Sequence, residues 1–140
     1  MKKILTFSII TYLLFTINSS AVTESSLENE KTLKVGILLP LSGEFANVGQ
    51  SFLKAIQLAL HDISNENINI YPKDSKANAL DAYQAAKEFE ELGIKVVIGP
   101  IFYESVERLG EINNLTFISL TNKTEKIPKN TIAFGINIDS

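Results

Sequence analysis

Three short clusters of polar residues stand at the ends of apolar runs. Ser42, Gly43 and Asn47 follow LKVGILL at 33–39; Tyr103, Glu104 and Ser105 follow VVIGP at 96–100. Ser119, Thr121 and Asn122 close and follow TFIS at 116–119. Hydroxyls and side-chain amides of this kind hold a small molecule by hydrogen bonds and need no covalent step. A helix opening at Glu104 would add the positive end of its dipole and favour an anionic group such as a carboxylate. Taken singly, Ser, Thr and Asn are cap and turn formers. As a set placed on one edge of a sheet they point to binding.

The motifs that would give this architecture other chemistry are missing. A dinucleotide site needs G-x-G-x-x-G after the first strand, where only Gly43 and Gly49 occur in another spacing. Neither a P-loop Gly-Lys-Ser/Thr nor a G-x-S-x-G nucleophile elbow is found. A phospho-acceptor Asp would have to end a central strand, but strand 1 ends at Pro40 and strand 3 at Gly99-Pro100. The single histidine, His61, sits with Lys54 and Gln57 on the solvated side of a helical pattern and reads as a surface residue. There is no cysteine, which removes disulfides, thiolate catalysis, zinc-thiolate sites and a lipid-modified anchor.

The elements that must position the clusters alternate. The run 33–39 is apolar without alternation, as in a strand covered on both faces. Helical periodicity over 48–64 places Phe52, Ile56, Leu60 and Ile63 on one stripe, with Ala59 beside it. A short strand at 68–71 and a polar loop at 72–77 follow. Asn78 with Asp81 resembles a capping box, opening a helix to Leu92 that buries Ala82, Ala86 and Phe89. Gly93 is placed to end it in the left-handed conformation. Strand 3 at 94–98 leads to a third helix over 104–113 that buries Val106, Leu109 and Ile112. Strands at 116–120 and 132–135 complete the pattern. This order predicts an α/β fold: an open parallel sheet, order 2-1-3-4-5, with right-handed crossovers and helices on both faces.

Residues 1–21 read as a secretory signal: Lys2 and Lys3, an apolar stretch broken by Thr6, Ser8, Thr11 and Thr16, then Ser19-Ser20-Ala21. Residues 22–32 form a Ser- and Glu-rich flexible lead-in. Cleavage leaves 11 basic against 16 acidic residues, a formal net charge of −5, with Arg108 the only arginine. Nucleic acid and anionic membranes are therefore poor partners, and no stable membrane anchor remains. An exported chain without disulfides fits a bacterial periplasm.

The segment 34–63, with Gly36, Pro40, Ser42, Gly43 and Gly49-Gln50, resembles the first strand and helix of the leucine-binding-protein family. These are type I periplasmic binding proteins that deliver amino acids to ABC transporters. VVIGPIFYES (96–105) and TFISLTN (116–122) are similar to that family's third and fourth strand ends, so the resemblance covers 33 to about 138. It implies a two-lobed clamp with no cofactor and no catalysis. Its partners are a small amino acid-like ligand and an ABC permease. The ligand's backbone would be held by the regions 103–105 and 119–123, giving the candidate set Ser42, Tyr103, Glu104, Ser105, Ser119, Thr121 and Asn122. Phe102-Tyr103-Glu104 stands where those binders carry small hydroxyl residues, and Glu104 would repel a ligand carboxylate. Asn122-Lys123 likewise replaces a small residue followed by Thr. The segment 118–136 is also similar to the penicillin-binding protein activators, whose partner is a peptidoglycan synthase. Residues 33–140 are thus expected to form a partial first lobe, about half of the family's protein, as a fragment or a single-lobe product.

Overall fold

The computed structural model describes residues 32–64, 66–123 and 125–135. The signal at 1–21 and most of the lead-in lie outside the described residues. Strands β1 (Leu33–Leu39), β2 (Ile68–Asp74), β3 (Val96–Ile98), β4 (Thr116–Ser119) and β5 (Thr131–Ala133) form one sheet in the order β2-β1-β3-β4-β5. Each neighbouring pair is parallel, as the alternating pattern predicts. Between them lie helices α1 (Ala46–Ile63) and α2 (Ala79–Glu91), and two short 3₁₀ segments at Tyr103–Ser105 and Glu107–Glu111.

β1 is buried from both sides. Val35, Ile37 and Leu39 join a cluster with Leu53 and Ile56 of α1. Leu38 joins the larger cluster with Ala82, Ala85, Ala86 and Phe89 of α2, Val97 and Phe117. Gly36 shares that second face: a Cβ there would stand 3.1 Å from the Phe89 ring, so its absence lets Phe89 lie against the sheet. Burying a ring of this size contributes about 2–3 kcal/mol.

α2 is set at both ends by its sequence. The Asp81 N–H donates to Asn78 Oδ1 at 2.9 Å, while Asn78 Nδ2 meets the Asp81 carboxylate. At the other end Gly93 adopts φ +71°; Gly93 N–H bonds Glu90 O and Ile94 N–H bonds Phe89 O. That pair of bonds is the Schellman arrangement, with buried Ile94 in the same core cluster as Phe89.

Three expectations are corrected. The third helix over 104–113 is two 3₁₀ segments instead. Val106, Leu109 and Ile112 are fully buried, and their spacing of three and three is the 3₁₀ period, not the 3.6 of an α-helix. β2 continues through Pro72 to Asp74, so the loop is shorter than 72–77; an edge strand tolerates a proline without a ladder N–H. The buried side of α1 is Gly49, Leu53, Ile56 and Leu60, not a stripe through Phe52 and Ile63, which are 39% and 61% exposed. Gly49 sets this rotation, because a Cβ there would fall 2.0 Å from Pro40 O. The helix docks with its glycine against the end of β1, and Phe52 turns toward the carboxyl edge of the sheet.

Candidate functional site

The carboxyl ends of β1, β3 and β4 carry the loops that hold the predicted polar residues. Strand order reverses between β1 and β3, and open α/β sheets leave a crevice at such a point. Phe45, after β1, and Phe102, after β3, span this reversal with ring centroids 4.7 Å apart. Next to them is a cavity of about 550 Å3 lined by Phe52, Ile101, Phe102, Leu120, Thr121, Asn122, Phe134 and Gly135. Gly135 is needed there, since a Cβ would meet Thr121 O at 2.2 Å. A second depression, about 470 Å3, lies beside Ile68 and His61 at the amino end of β2, away from these loops.

Of the predicted residues, only Thr121 and Asn122 line the cavity. Ser119 is fully buried: its hydroxyl donates to Pro100 O at 2.9 Å and accepts the Thr121 N–H at 3.3 Å. It therefore fixes the loop after β4 to the turn after β3. Thr121 Oγ1 in turn accepts the Lys123 N–H at 3.2 Å. Tyr103 presents its ring to Lys123, whose Nζ stands 3.9 Å from the centroid. Glu104 is exposed beside it. Ser105 is fully buried, and its Oγ has no hydrogen-bond partner among the described residues.

Ser42 acts elsewhere. It hydrogen-bonds Asp74 at the end of β2, as do the N–H groups of Lys76, Leu41 and Ser42 itself. Burial alone would raise the Asp74 pKa, but these hydrogen bonds outweigh it and hold the carboxyl below its usual 3.8. Asp74 is a clamp that sequence reasoning missed, hidden in what read as a polar loop. The aromatic walls were missed as well. Phe52 sat in an apparent core stripe, and Phe102 was legible only as a bulky residue where small ones were expected.

Comparison with known proteins decides the family. The periplasmic binding protein family model matches residues 32–135. The chain belongs to the periplasmic binding protein family. Among solved structures, this periplasmic binding protein is similar to a leucine-binding protein from Thermotoga maritima. The identity is 18%, covering 64% of this chain and 27% of that one, with TM-score 0.58. It is similar to the C-domain of LpoA from Haemophilus influenzae, a regulator of PBP1A, at 21% identity, 74% and 32% coverage and TM-score 0.61. A solute-binding protein of an ABC transporter from Rhodopseudomonas palustris, solved with 4-hydroxybenzoate, matches at 18% identity, 71% and 29% coverage and TM-score 0.63. At such identities the likeness establishes the fold, the type I lobe the sequence predicted. This periplasmic binding protein spans about a third or less of the length of these structures. No curated protein matches the chain.

Proposed function

We propose that residues 33–140 belong to lobe 1 of an exported solute-binding protein that captures an amino acid or related small molecule for an ABC permease. The observation that carries this reading is the cavity at the carboxyl edge. Its aromatic and aliphatic walls, Phe52, Ile101, Phe102, Leu120 and Phe134, converge on the two polar residues Thr121 and Asn122. Ligand pockets have this composition: an apolar body that excludes water and a few polar groups that fix orientation. The solved relatives named for leucine and 4-hydroxybenzoate support a solute of that shape, an apolar body with a carboxylate.

In this reading Thr121 and Asn122 touch the ligand, and Ser119, Ser42 and Tyr103 hold the loops that present it. Glu104 lies at the rim, and Ser105 is a buried hydroxyl with spare hydrogen-bonding capacity. In this reading residues 1–21 serve as the export signal that their composition suggests, and the role needs neither cofactor nor catalysis.

A second reading has its own observation. The LpoA C-domain aligns over 74% of the chain, against 64% for the leucine-binding protein. On that basis the lobe would serve a protein–protein contact with a peptidoglycan synthase. Thermal unfolding of the full-length protein separates the two. A solute-binding protein is stabilised by about 2.7 kcal/mol at a hundredfold excess of its solute over the dissociation constant. No shift across aliphatic and aromatic amino acids, carboxylic acids and small peptides, together with co-purification of a cell-wall synthase, would select the second reading.

A further inference from the structure

The connections β2–β3, β3–β4 and β4–β5 all run on the α2 side of the sheet. Val106, Leu109 and Ile112 pack there with Leu38, Val97 and Phe117. Asn130, just before β5, donates to Leu109 O and Ile112 O at 2.9 and 2.6 Å. The other side belongs to α1, which covers β1 and β2 with Leu53 and Ile56. Register puts Ile118 beside Ile98 and Ile132 beside Ile118 on that side. Among the described residues nothing covers its far end, where Ile132 and Phe134 are 58% and 76% exposed. Parallel sheets bury both faces, so this one calls for an occupant.

α1 carries a matching surface. Val48, Phe52, Ala55, Ala59 and Ile63 recur at helical spacing and are all exposed. Phe52 and Phe134 line the same cavity, so this strip borders the bare strands. Its order of large and small residues fits its own reverse. With two copies of α1 antiparallel, Val48 meets the partner's Ile63, Phe52 meets the partner's Ala59, and Ala55 sits at the two-fold axis. Charge agrees with that direction. The first turn of α1 has no acidic residue and Phe45 gives it no side-chain cap, while Asp62 stands in the last turn. An acid there opposes its own helix dipole; antiparallel pairing carries it beside the partner's Gly49, near the opposite pole, where it is favourable. The exposed parts of Val48, Phe52, Ile63, Ile132 and Phe134 come to on the order of 500 Å2. That is the apolar share of a standard interface of about 800 Å2 per partner.

We infer that a second copy of this chain covers the strip, the two α1 helices lying antiparallel across a two-fold axis. The contact is isologous, so one surface serves both partners. This goes beyond the solute-binding reading and does not rest on it. Phe52 and Phe134 are common to both, while the polar pair of the cavity, Thr121 and Asn122, stays outside the contact.

The test uses the full-length protein, sized by light scattering over a wide range of concentration. The result expected is twice the monomer mass, falling to the monomer on dilution. Ala59→Glu sets a carboxylate against the partner's Phe52 and weakens the dimer about tenfold or more. Ala59 is exposed, so the diluted variant melts as the unaltered monomer does. Asp62→Asn weakens the dimer about threefold. The chain has no cysteine, so single cysteines report the geometry. Oxidised Ala55→Cys links into a dimer, whereas Lys54→Cys, turned about 100° round the helix, does not. A monomer at every concentration overturns the inference, whether the strip is then covered by more of the same polypeptide or left open. So does a dimer that survives Ala59→Glu or links through Lys54→Cys. Solute titration is scored separately, so either idea can fail alone.

Discussion

Asp74 Oδ1 accepts the N–H of Leu41 at 2.8 Å across 33 residues of chain, and the N–H of Lys76 at the same distance. One carboxylate at the tip of the edge strand thereby fixes the loop after the central strand, the loop from which Ser42 and Phe45 project. Its position explains why a half-buried charge is retained at a strand end: four hydrogen bonds from Ser42, Lys76 and Leu41 offset its desolvation.

Asp74 should make the lobe sensitive to acid. Its folded pKa lies below 3.8, so its stabilisation is complete above about pH 4 and is lost as the pH falls through the depressed folded value. Asp74→Ala should cost about 1–3 kcal/mol at neutral pH, because several donors lose their acceptor. Asp74→Asn should flatten the dependence of stability on pH below about 4. Urea melts at neutral and acid pH check both.

Ser119 joins two loops rather than a ligand to the protein. Ser119→Ala leaves Pro100 O with the Leu120 N–H as donor at 2.9 Å, but deprives the Thr121 N–H of its acceptor. A loss of about 1–2 kcal/mol in chemical denaturation is expected. Any solute affinity should fall with it, since Thr121 lines the cavity.

Ser105 offers the opposite outcome. Its hydroxyl is buried without a partner among the described residues, so Ser105→Ala should be neutral or stabilising by up to about 1 kcal/mol. A marked fall in melting temperature would reveal a hidden hydrogen bond. A loss of solute binding at unchanged stability would give Ser105 direct contact with the ligand.

Two glycines should respond unequally. Gly49→Ala forces a Cβ to within 2.0 Å of Pro40 O and must lift α1 off the sheet, costing about 3 kcal/mol or more. Gly93→Asn, at φ +71° with open space around it, should cost less than about 1 kcal/mol. Paired thermal melts settle the contrast.

The architecture was legible because its signals are local and redundant. β1 reads as buried on both sides through its unbroken apolar run, and α2 carries its own start at Asn78 and stop at Gly93. Polar residues recur at strand ends, so the edge that bears the cavity could be foreseen. What was not legible depends on contacts distant in sequence. The rotation of α1 follows from Gly49 meeting Pro40 O, which hydrophobic periodicity cannot register, and it turns Phe52 from presumed core to cavity wall. Val106, Leu109 and Ile112 fit both a helical stripe and a 3₁₀ repeat, and the period of three decided between them. The roles of Ser42 and Ser119 as braces likewise depend on Asp74 and Pro100, partners 32 and 19 residues away.

The central claim is that the cavity at the strand ends holds a small solute. Calorimetric titration of the best solute from the stability panel, into the unaltered full-length protein and into Asn122→Ala, tests it most directly. The account predicts saturable one-site binding that weakens about tenfold or more in Asn122→Ala, with an unchanged melting temperature because Asn122 is exposed. No saturable binding by any panel member, or equal affinity in the two proteins, would contradict it.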